Sequence, residues 1–427
     1  ILWPVLTIGL AIFLVVVEGL WLKTKKDIYY HQFRFWTRIF VLNFAIGVVT
    51  GIPLEFQFGT NWSRFSIAGG DIFGHLLGFE AAMAFMLEAA FLGIMVFGWK
   101  RVPPLMHWFS TIVVALGSFM SLFWIMVANS WMQTPVGGHM EHGKFLATDN
   151  TAAIFNPDMP WGVTHMAGAC LEITIFVIGG ISAWYFLKKR HTRFFLKSFK
   201  MVLVAAIVIT PLQIYLGDGS GISVFKNQPA KLAAIEGHWQ TNPPGEPAAW
   251  ALVAVPDKEQ QKNLYAIEIP YLLSLLATHS LTGQVKGLKA FPKEDRPPVW
   301  IPFYSFRIMV AIGFYLFFLM LYSVYAWGRG YLTPERIAGR RKFLYAWMLA
   351  LPLSYIAMET GWLTREVGRQ PWTIQGLVRT SESASRLSSA TVGTSLLIFA
   401  VMYAALFAVF LFFAKRIISA GPDYDEP

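Results

Sequence analysis

The sequence predicts an all-α, polytopic membrane protein of nine transmembrane helices, the first truncated, with a long extracytoplasmic loop between helices six and seven. Three observations lead there. Of 427 residues, 55% are hydrophobic and 14% charged, with a mean hydropathy of +0.49, a balance foreign to soluble domains. Nine apolar runs are long enough to cross, or nearly cross, a bilayer. Lys and Arg crowd alternate connections, as membrane topology demands.

The runs are 1–22, 38–58, 71–98, 105–133, 161–187, 198–216, 303–327, 343–362 and 391–414. The chain opens Ile1-Leu-Trp-Pro4 inside the first run, without a basic n-region or cleavage site. A missing N-terminus is therefore expected, not a signal peptide. Lys23, Lys25, Lys26, Arg34 and Arg38 follow the first run, and Lys100 and Arg101 the third. Six basic residues between Lys188 and Lys200 follow the fifth, five between Arg329 and Lys342 the seventh, and Lys415 and Arg416 the ninth. The connections after runs two and four carry one each, Arg64 and Lys144. The chain is expected to start outside and end in the cytoplasm. The net charge of +10 is then topological, with no nucleic-acid partner implied.

Three segments follow: helices one to six over 1–216, an extracytoplasmic loop over 217–302, and helices seven to nine with a cytoplasmic tail over 303–427. The loop is too long for a tight connection. It carries Lys231-Leu-Ala-Ala-Ile-Glu236, whose Lys and Glu sit on an expected short helix. Its size favours a substrate-binding lid over a plain solvated cap.

The single cysteine, Cys170, excludes a disulfide framework, a c-type haem attachment pair and a cysteine-ligated iron–sulfur cluster. His165 lies one turn inside the fifth run, and Met309 near the start of the seventh. Both runs cross in the same direction, so the two residues share a depth under the long loop. His and Met together are an axial pair for a low-spin haem, and Arg307 beside Met309 could pair with a propionate. Either residue alone would more often be ordinary core.

The third run carries Glu80 and Glu88, and carboxylates inside a membrane are functional candidates by default. Regular helix geometry separates them by roughly 12 Å of rise and about 80° of rotation, so both can face one cavity. They outline a proton path from the cytoplasm toward a site in the outer half. Run three has no internal Lys or Arg, which weakens the alternative of simple ion pairing. Glu18 and Glu55 lie near run ends and say less.

The densest polar stretch is Glu359-Thr-Gly-Trp362-Leu-Thr-Arg365-Glu366-Val-Gly368-Arg369-Gln370-Pro371-Trp372. Such residues at a helix end are usually retained for a task, although arginine and tryptophan also serve as interfacial anchors. Glu366 with Arg369 three residues on suits a metal or cofactor carboxylate with a cation beside it.

This stretch resembles the signature of subunit I of the cytochrome bd quinol oxidases. So do, in order, Leu54-Glu-Phe-Gln-Phe-Gly-Thr-Asn-Trp62, Asn129-Ser-Trp-Met-Gln-Thr-Pro135, Lys231 to Glu236, Phe306-Arg-Ile-Met309 and Gly368-Arg-Gln-Pro-Trp372. The resemblance implies a nine-helix subunit of the bacterial or archaeal cytoplasmic membrane. It would bind a low-spin haem b, a high-spin haem b and a haem d or third haem b. It implies His165 and Met309 as ligands of the low-spin haem. Glu366 would ligate one of the high-spin haems, supported by Arg369 and Trp372. Lys231 and Glu236 would belong to the quinol-oxidising loop, and Glu80 and Glu88 would serve proton delivery and the oxygen site. The short passage from Lys289 to the seventh run resembles the short-loop branch. A second large subunit, subunit II, one or more very small single-helix subunits, quinol, O2 and membrane lipid are the implied partners. The family's first-helix haem-ligating histidine would fall one or two residues before Ile1, with His75 a remote substitute.

The implied activity is quinol oxidation outside and reduction of O2 to water with cytoplasmic protons. The proton motive force would arise without pumping. A haem–copper oxidase, or a cytochrome b of the quinol:cytochrome c reductase type, needs more intramembrane histidines than His75, His107 and His165. A bd-like electron-transfer subunit without oxygen reduction, and a transporter relaying protons through Glu80 and Glu88, are the remaining alternatives.

Overall fold

In the computed structural model, residues 2–424 are described, and nine helices among them are long and apolar enough to cross a membrane. They begin with α1 (Leu2–Thr24) and α2 (Asp27–Thr60). After the short α3 (Ser63–Ala68), the third span is built from α4 (Gly70–Phe79), a π-helical segment (Glu80–Phe85) and α5 (Met86–Phe97). Next come α6 (Pro104–Gln133), the hairpin β1 (Gly138–Glu141) and β2 (Lys144–Ala147), and the short α7 (Asn150–Ile154). Then follow α8 (Met159–Lys188) and α9 (Thr192–Asn227).

The long connection holds α10 (Pro229–Glu236), the antiparallel hairpin β3 (Trp250–Asp257) and β4 (Lys262–Ile269), and α11 (Leu272–Thr278). The last part comprises α12 (Trp300–Gly328), α13 (Arg341–Val367), the hairpin β5 (Trp372–Ile374) and β6 (Val378–Arg379), α14 (Thr380–Ser383) and α15 (Ser389–Ala420).

In hydrocarbon every backbone group must be satisfied within the chain, so the spans are helical. Several start on proline, where the missing N–H is not needed, as at Pro104 and Pro160. Pro53, Pro211 and Pro352 sit inside spans, as membrane helices tolerate. Close packing, not hydrophobicity, holds such helices together. Helix α8 is the most enclosed span and packs on α1, α6, α9 and α13. Its Gly179 lets the wholly buried Trp347 of α13 approach; a Cβ there would come within 2.2 Å of the indole. Trp347 Nε1 in turn donates to Ser323 Oγ of α12 at 3.0 Å.

Several ends differ from the hydropathy boundaries. α9 continues to Asn227, so the first residues of the expected loop are helix. α13 continues to Val367, which places Glu366 in its last turn. Polar residues extend both helices beyond lipid, where hydropathy carries no signal. The rest of the connection is a small folded cap. Ala233, Ala234, Trp239, Ala251, Ala254 and Leu288 form its core against Phe303 of α12. The Trp239 indole N–H donates to Asn263 Oδ1 at 2.9 Å, tying β4 into it.

Candidate functional site

Helices α8, α9, α12 and α13 form a four-helix cluster in which α8 and α12 each pack on α9 and α13, and so stand diagonally. His165 on α8 has its ring against Gly217 of α9, where an added Cβ would lie 3.5 Å from Cε1. Its backbone carbonyl accepts from Gln213 Nε2 at 3.0 Å. Its Nδ1 is buried and has no hydrogen-bond partner among the described residues. Met309 on α12 rests its sulfur over Gly361 of α13, where an added Cβ would come within 2.7 Å. Two donors on diagonal helices of a four-helix cluster can approach one group between them.

Arg307 shares α12 with Met309, and its side chain is engaged by the cap. Its guanidinium makes five hydrogen bonds, all to protein. Nε and Nη2 donate to the Ala251 carbonyl at 2.9 and 2.6 Å. Nη1 donates to the carbonyls of Ile235 and Phe303 at 2.7 and 3.3 Å. Nη2 also donates to Glu236 Oε2 at 2.9 Å. The planar fork fits this set. Arg307 clamps α10 and β3 onto α12. Burial pushes the Glu236 carboxyl above its ordinary range, and the Arg307 charge opposes that only in part.

A second cluster gathers at the end of α13. The Arg365 guanidinium donates to Asp158 Oδ2 at 2.5 Å and to Asn129 Oδ1 at 2.6 Å. Asn129 Nδ2 donates to Glu366 Oε1 at 2.8 Å, and Arg369 Nη2 to Glu366 Oε2 at 2.5 Å. Gln133 Nε2 lies 3.4 Å from Glu366 Oε1, and Gln133 Oε1 accepts from Lys231 Nζ at 3.0 Å. The Lys231 stem packs on Gly368, where a Cβ would be 3.0 Å from its Cγ. The sequence separates Lys231 and Glu366 into different segments and roles; the fold joins them through one amide. Asp158 carries no signal in the sequence, and Asn129 and Gln133 figure there only within the motif Asn129 to Pro135, without a role. Asp158 reads there as an ordinary residue before a helix, although it is only 4% exposed.

Burial and charge together set the protonation of this cluster. Burial would raise the Asp158 carboxyl, but the Arg365 guanidinium, helped by Lys231, more than offsets that and holds it below the carboxylate range. Burial, reinforced by Arg365, pulls the Lys231 ammonium down to about 7, against Asp158 and Glu366. Arg369 is 5% exposed, and its Nε and Nη1 have no partner. Burial lowers its pKa in spite of Glu366. Trp372 joins the cluster only through its backbone N–H, which donates to the Arg369 carbonyl at 3.1 Å. Its ring lies 4.3 Å from the Arg379 guanidinium, which reaches Asp295 of the cap at 2.5 Å.

Glu80 and Glu88 both meet α6, through Ser121 Oγ at 2.7 Å and Ser118 Oγ respectively. Gly117 makes room, since a Cβ there would sit 2.6 Å from Glu88 Cγ. The interval between them is not the regular α-helix assumed in the 80° rotation. The π segment, with i→i+5 bonding, winds less per residue, yet both carboxylates still face one helix. His75 is exposed, its Nδ1 2.6 Å from the Asp71 carbonyl. Glu18 proves fully buried, 2.6 Å from both His107 Nδ1 and Thr111 Oγ1.

Comparison with known proteins gives a consistent result. The model of the family described as cytochrome bd terminal oxidase subunit I matches residues 1–422. The chain is 36% identical to cytochrome bd ubiquinol oxidase subunit 1 of Bacillus subtilis (strain 168), over 99% of this chain and 91% of that protein. It is 35% identical to cytochrome bd-II ubiquinol oxidase subunit 1 of Escherichia coli (strain K12), over 98% and 93%. Among solved structures, that of bd oxidase from Geobacillus thermodenitrificans is similar with a TM-score of 0.89 and 32% identity, over 99% of this chain and 95% of that one.

Proposed function

The chain belongs to the cytochrome bd terminal oxidase subunit I family, and from that premise we propose that it is the haem-binding subunit of a quinol oxidase. Quinol is oxidised at the outer side, under the folded cap. Oxygen is reduced to water with cytoplasmic protons, so charge separates without a pump.

The observation that carries this reading is that, of the buried polar atoms left without partners among the described residues, three lie on the expected haem residues: His165 Nδ1, Arg369 Nε and Arg369 Nη1. Each orphaned donor or acceptor costs about 1–3 kcal/mol, and each lies on a residue suited to a haem. An imidazole and a thioether suit a low-spin iron, and Glu366 with Arg369 suits a high-spin iron and a haem carboxylate. The residues present therefore fit the group. His165 and Met309 would hold a low-spin haem b, and Glu366 would hold one of the high-spin haems, b or d. Bound haems supply electron transfer and oxygen reduction.

The chain's own residues handle protons and position. Lys231, poised near neutrality, takes a proton from quinol. Arg307 holds Glu236 at the same cap–helix seam. Glu88 and Glu80 pass protons along the serine-bearing face of α6. Subunit II and small single-helix subunits would cover the outermost helices, α15 above all, which has no buried residue.

The test is a reduced-minus-oxidised absorption spectrum of the purified complex, with a carbon monoxide difference spectrum. Low-spin b, high-spin b and a red-shifted chlorin band are expected. Low-spin haem without a carbon monoxide response would restrict the chain to electron transfer, and a protein without haem would end the reading.

A further inference from the structure

Glu172 sits in the middle of α8, the most enclosed span, and neither the ligand reading nor the proton path uses it. Ionisable side chains at such a depth are costly and are usually retained for a task. Among the described residues Glu172 makes no hydrogen bond and no ion pair. Its direction follows from its neighbours on the helix. Trp161, His165 and Gly168 meet α9 at Gly219, Gly217 and Gln213. Phe176 and Gly179 meet Trp347 of α13, with ring centroids 5.2 Å apart for Phe176–Trp347. Spacings of three and four put residue 172 on this same stripe. Its side chain therefore turns into the interior of the four-helix cluster, two turns or roughly 10 Å deeper than His165. The opposite face of α8, with Cys170 and Thr174, packs on Gly9 of α1.

A second unpaired atom waits on α9. Gln213 Nε2 donates to the His165 carbonyl at 3.0 Å, which turns Oε1 the other way. That oxygen is buried without a partner among the described residues, and it fills the space over Gly168, where an added Cβ would lie 2.0 Å from it. A helical side chain leans over the turn that precedes it, so Glu172 leans toward Gly168 and this oxygen. An ionised carboxylate and an amide oxygen are both acceptors and have nothing to exchange. A protonated carboxyl donates to the amide oxygen, directly or through one water. Gln213 thus links the backbone of His165 to one protonation state of Glu172.

Few other groups titrate near this point. α9 carries none between Lys200 and Tyr215, and α6 carries only His107, which is bound to Glu18 of α1 at the far end. On α12 the Tyr315 hydroxyl donates to the Ala346 carbonyl at 2.9 Å, and Arg307 is bound to Glu236. α13 brings Tyr355 and Glu359, and, beyond them, Arg365 bound to Asp158. α8 itself adds His165 and Cys170.

We propose that Glu172 is a redox-linked proton acceptor of the low-spin site. The inference rests on the reading of His165 and Met309 as the ligands there. When an electron from quinol arrives between α8 and α12, the Glu172 carboxylate binds one proton from water, and the new O–H turns to Gln213 Oε1. When the electron moves on, the proton leaves and the carboxylate returns. One negative and one positive charge arrive and depart together, so the net charge of the cluster stays constant in hydrocarbon, where unbalanced charge is expensive.

The test is a redox titration of the low-spin absorption band in the complete complex, repeated over a range of pH. Full coupling changes the reduction equilibrium tenfold per pH unit, about 59 mV for one electron, with the midpoint falling as pH rises. Glu172→Gln, whose amide still donates to Gln213 Oε1, should keep the low-spin band and lose the slope. Gln213→Leu removes the acceptor that favours the protonated carboxyl and should move the sloping range toward acid. A midpoint independent of pH in the parent overturns the proposal. So does a slope that survives in Glu172→Gln, which would assign it to Tyr355, Glu359 or the Lys231–Glu366 network. If Glu172→Gln fails to assemble, Gln213→Leu decides, and an unmoved range is a refutation. A complex without a low-spin band ends the ligand reading and this inference with it, whereas a low-spin band with a flat midpoint ends this inference alone.

Discussion

Lys231 and Glu366 meet at opposite ends of one amide: Gln133 accepts from the lysine through Oε1 at 3.0 Å and approaches the glutamate through Nε2 at 3.4 Å. A residue of the extramembrane cap and one at the end of a membrane helix are thereby held in one polar network. Gln133→Leu should leave Lys231 with only Gln228 Oε1 at 3.3 Å and Glu366 Oε1 with only Asn129, at a cost of about 1–3 kcal/mol. We expect quinol oxidation to fall by an order of magnitude, with a displaced high-spin haem spectrum and a normal low-spin band. Unaltered high-spin absorption would show that the two residues act independently.

Lys231 also sets a pH dependence. Its pKa is depressed to about 7, from about 10.4 in an unfolded chain. The unfolded chain therefore binds the extra proton between these values, and the penalty for burying Lys231 is full below 7 and vanishes above about 10.4. A neutral amine is needed to accept a proton from quinol, so the rate should rise with pH through about 7. Lys231→Met should flatten that limb of the profile. A rising limb that survives the substitution would assign it to another group.

Met309→Leu keeps the volume beside Gly361 but removes the thioether. The low-spin haem band should be lost or shifted, with protein yield preserved. An unchanged reduced-minus-oxidised spectrum would sink the ligand assignment.

Glu88→Gln keeps a hydrogen-bonding acceptor for Ser118 and removes the titrating carboxyl. Turnover with saturating quinol should drop by roughly two orders of magnitude, at the lower end of the range for positioned acid–base groups, with haem content mostly intact. Oxygen-electrode rates equal to the parent would refute the proton-path role.

Arg307→Ala removes five hydrogen bonds and leaves Glu236 buried without its cation. Loss of one partner of a buried pair costs about 3–5 kcal/mol. The cap should open, and limited proteolysis should cut between β3 and β4 at lower protease concentration. Arg307→Lys should rescue little, because an ammonium cannot span the Ala251, Ile235 and Glu236 oxygens together. Parent-like proteolysis in Arg307→Ala would show that the clamp is dispensable.

The membrane architecture was legible because hydrocarbon admits few solutions, and apolar length and Lys/Arg bias report them directly. The cap was not. The hairpin made by Trp250–Asp257 and Lys262–Ile269 is held by contacts with Trp239 and Arg307 that no local pattern announces. The π segment at Glu80–Phe85 carries no compositional mark. The candidate site was read as separate pieces, because Asp158, Asn129 and Gln133 link them only in three dimensions. The hold of Arg307 on the Ala251 and Ile235 carbonyls is not announced by its place beside Met309 in the sequence.

Helix α15 has the highest mean hydropathy of the nine spans, 2.8, and no buried residue. Its place within the chain rests mainly on a contact with α2, including the Tyr403 hydroxyl donating to the Thr50 carbonyl at 3.0 Å. A span this apolar needs no neighbour to be stable in hydrocarbon, and with none of its residues buried by the rest of the chain it stands as an adhesive edge.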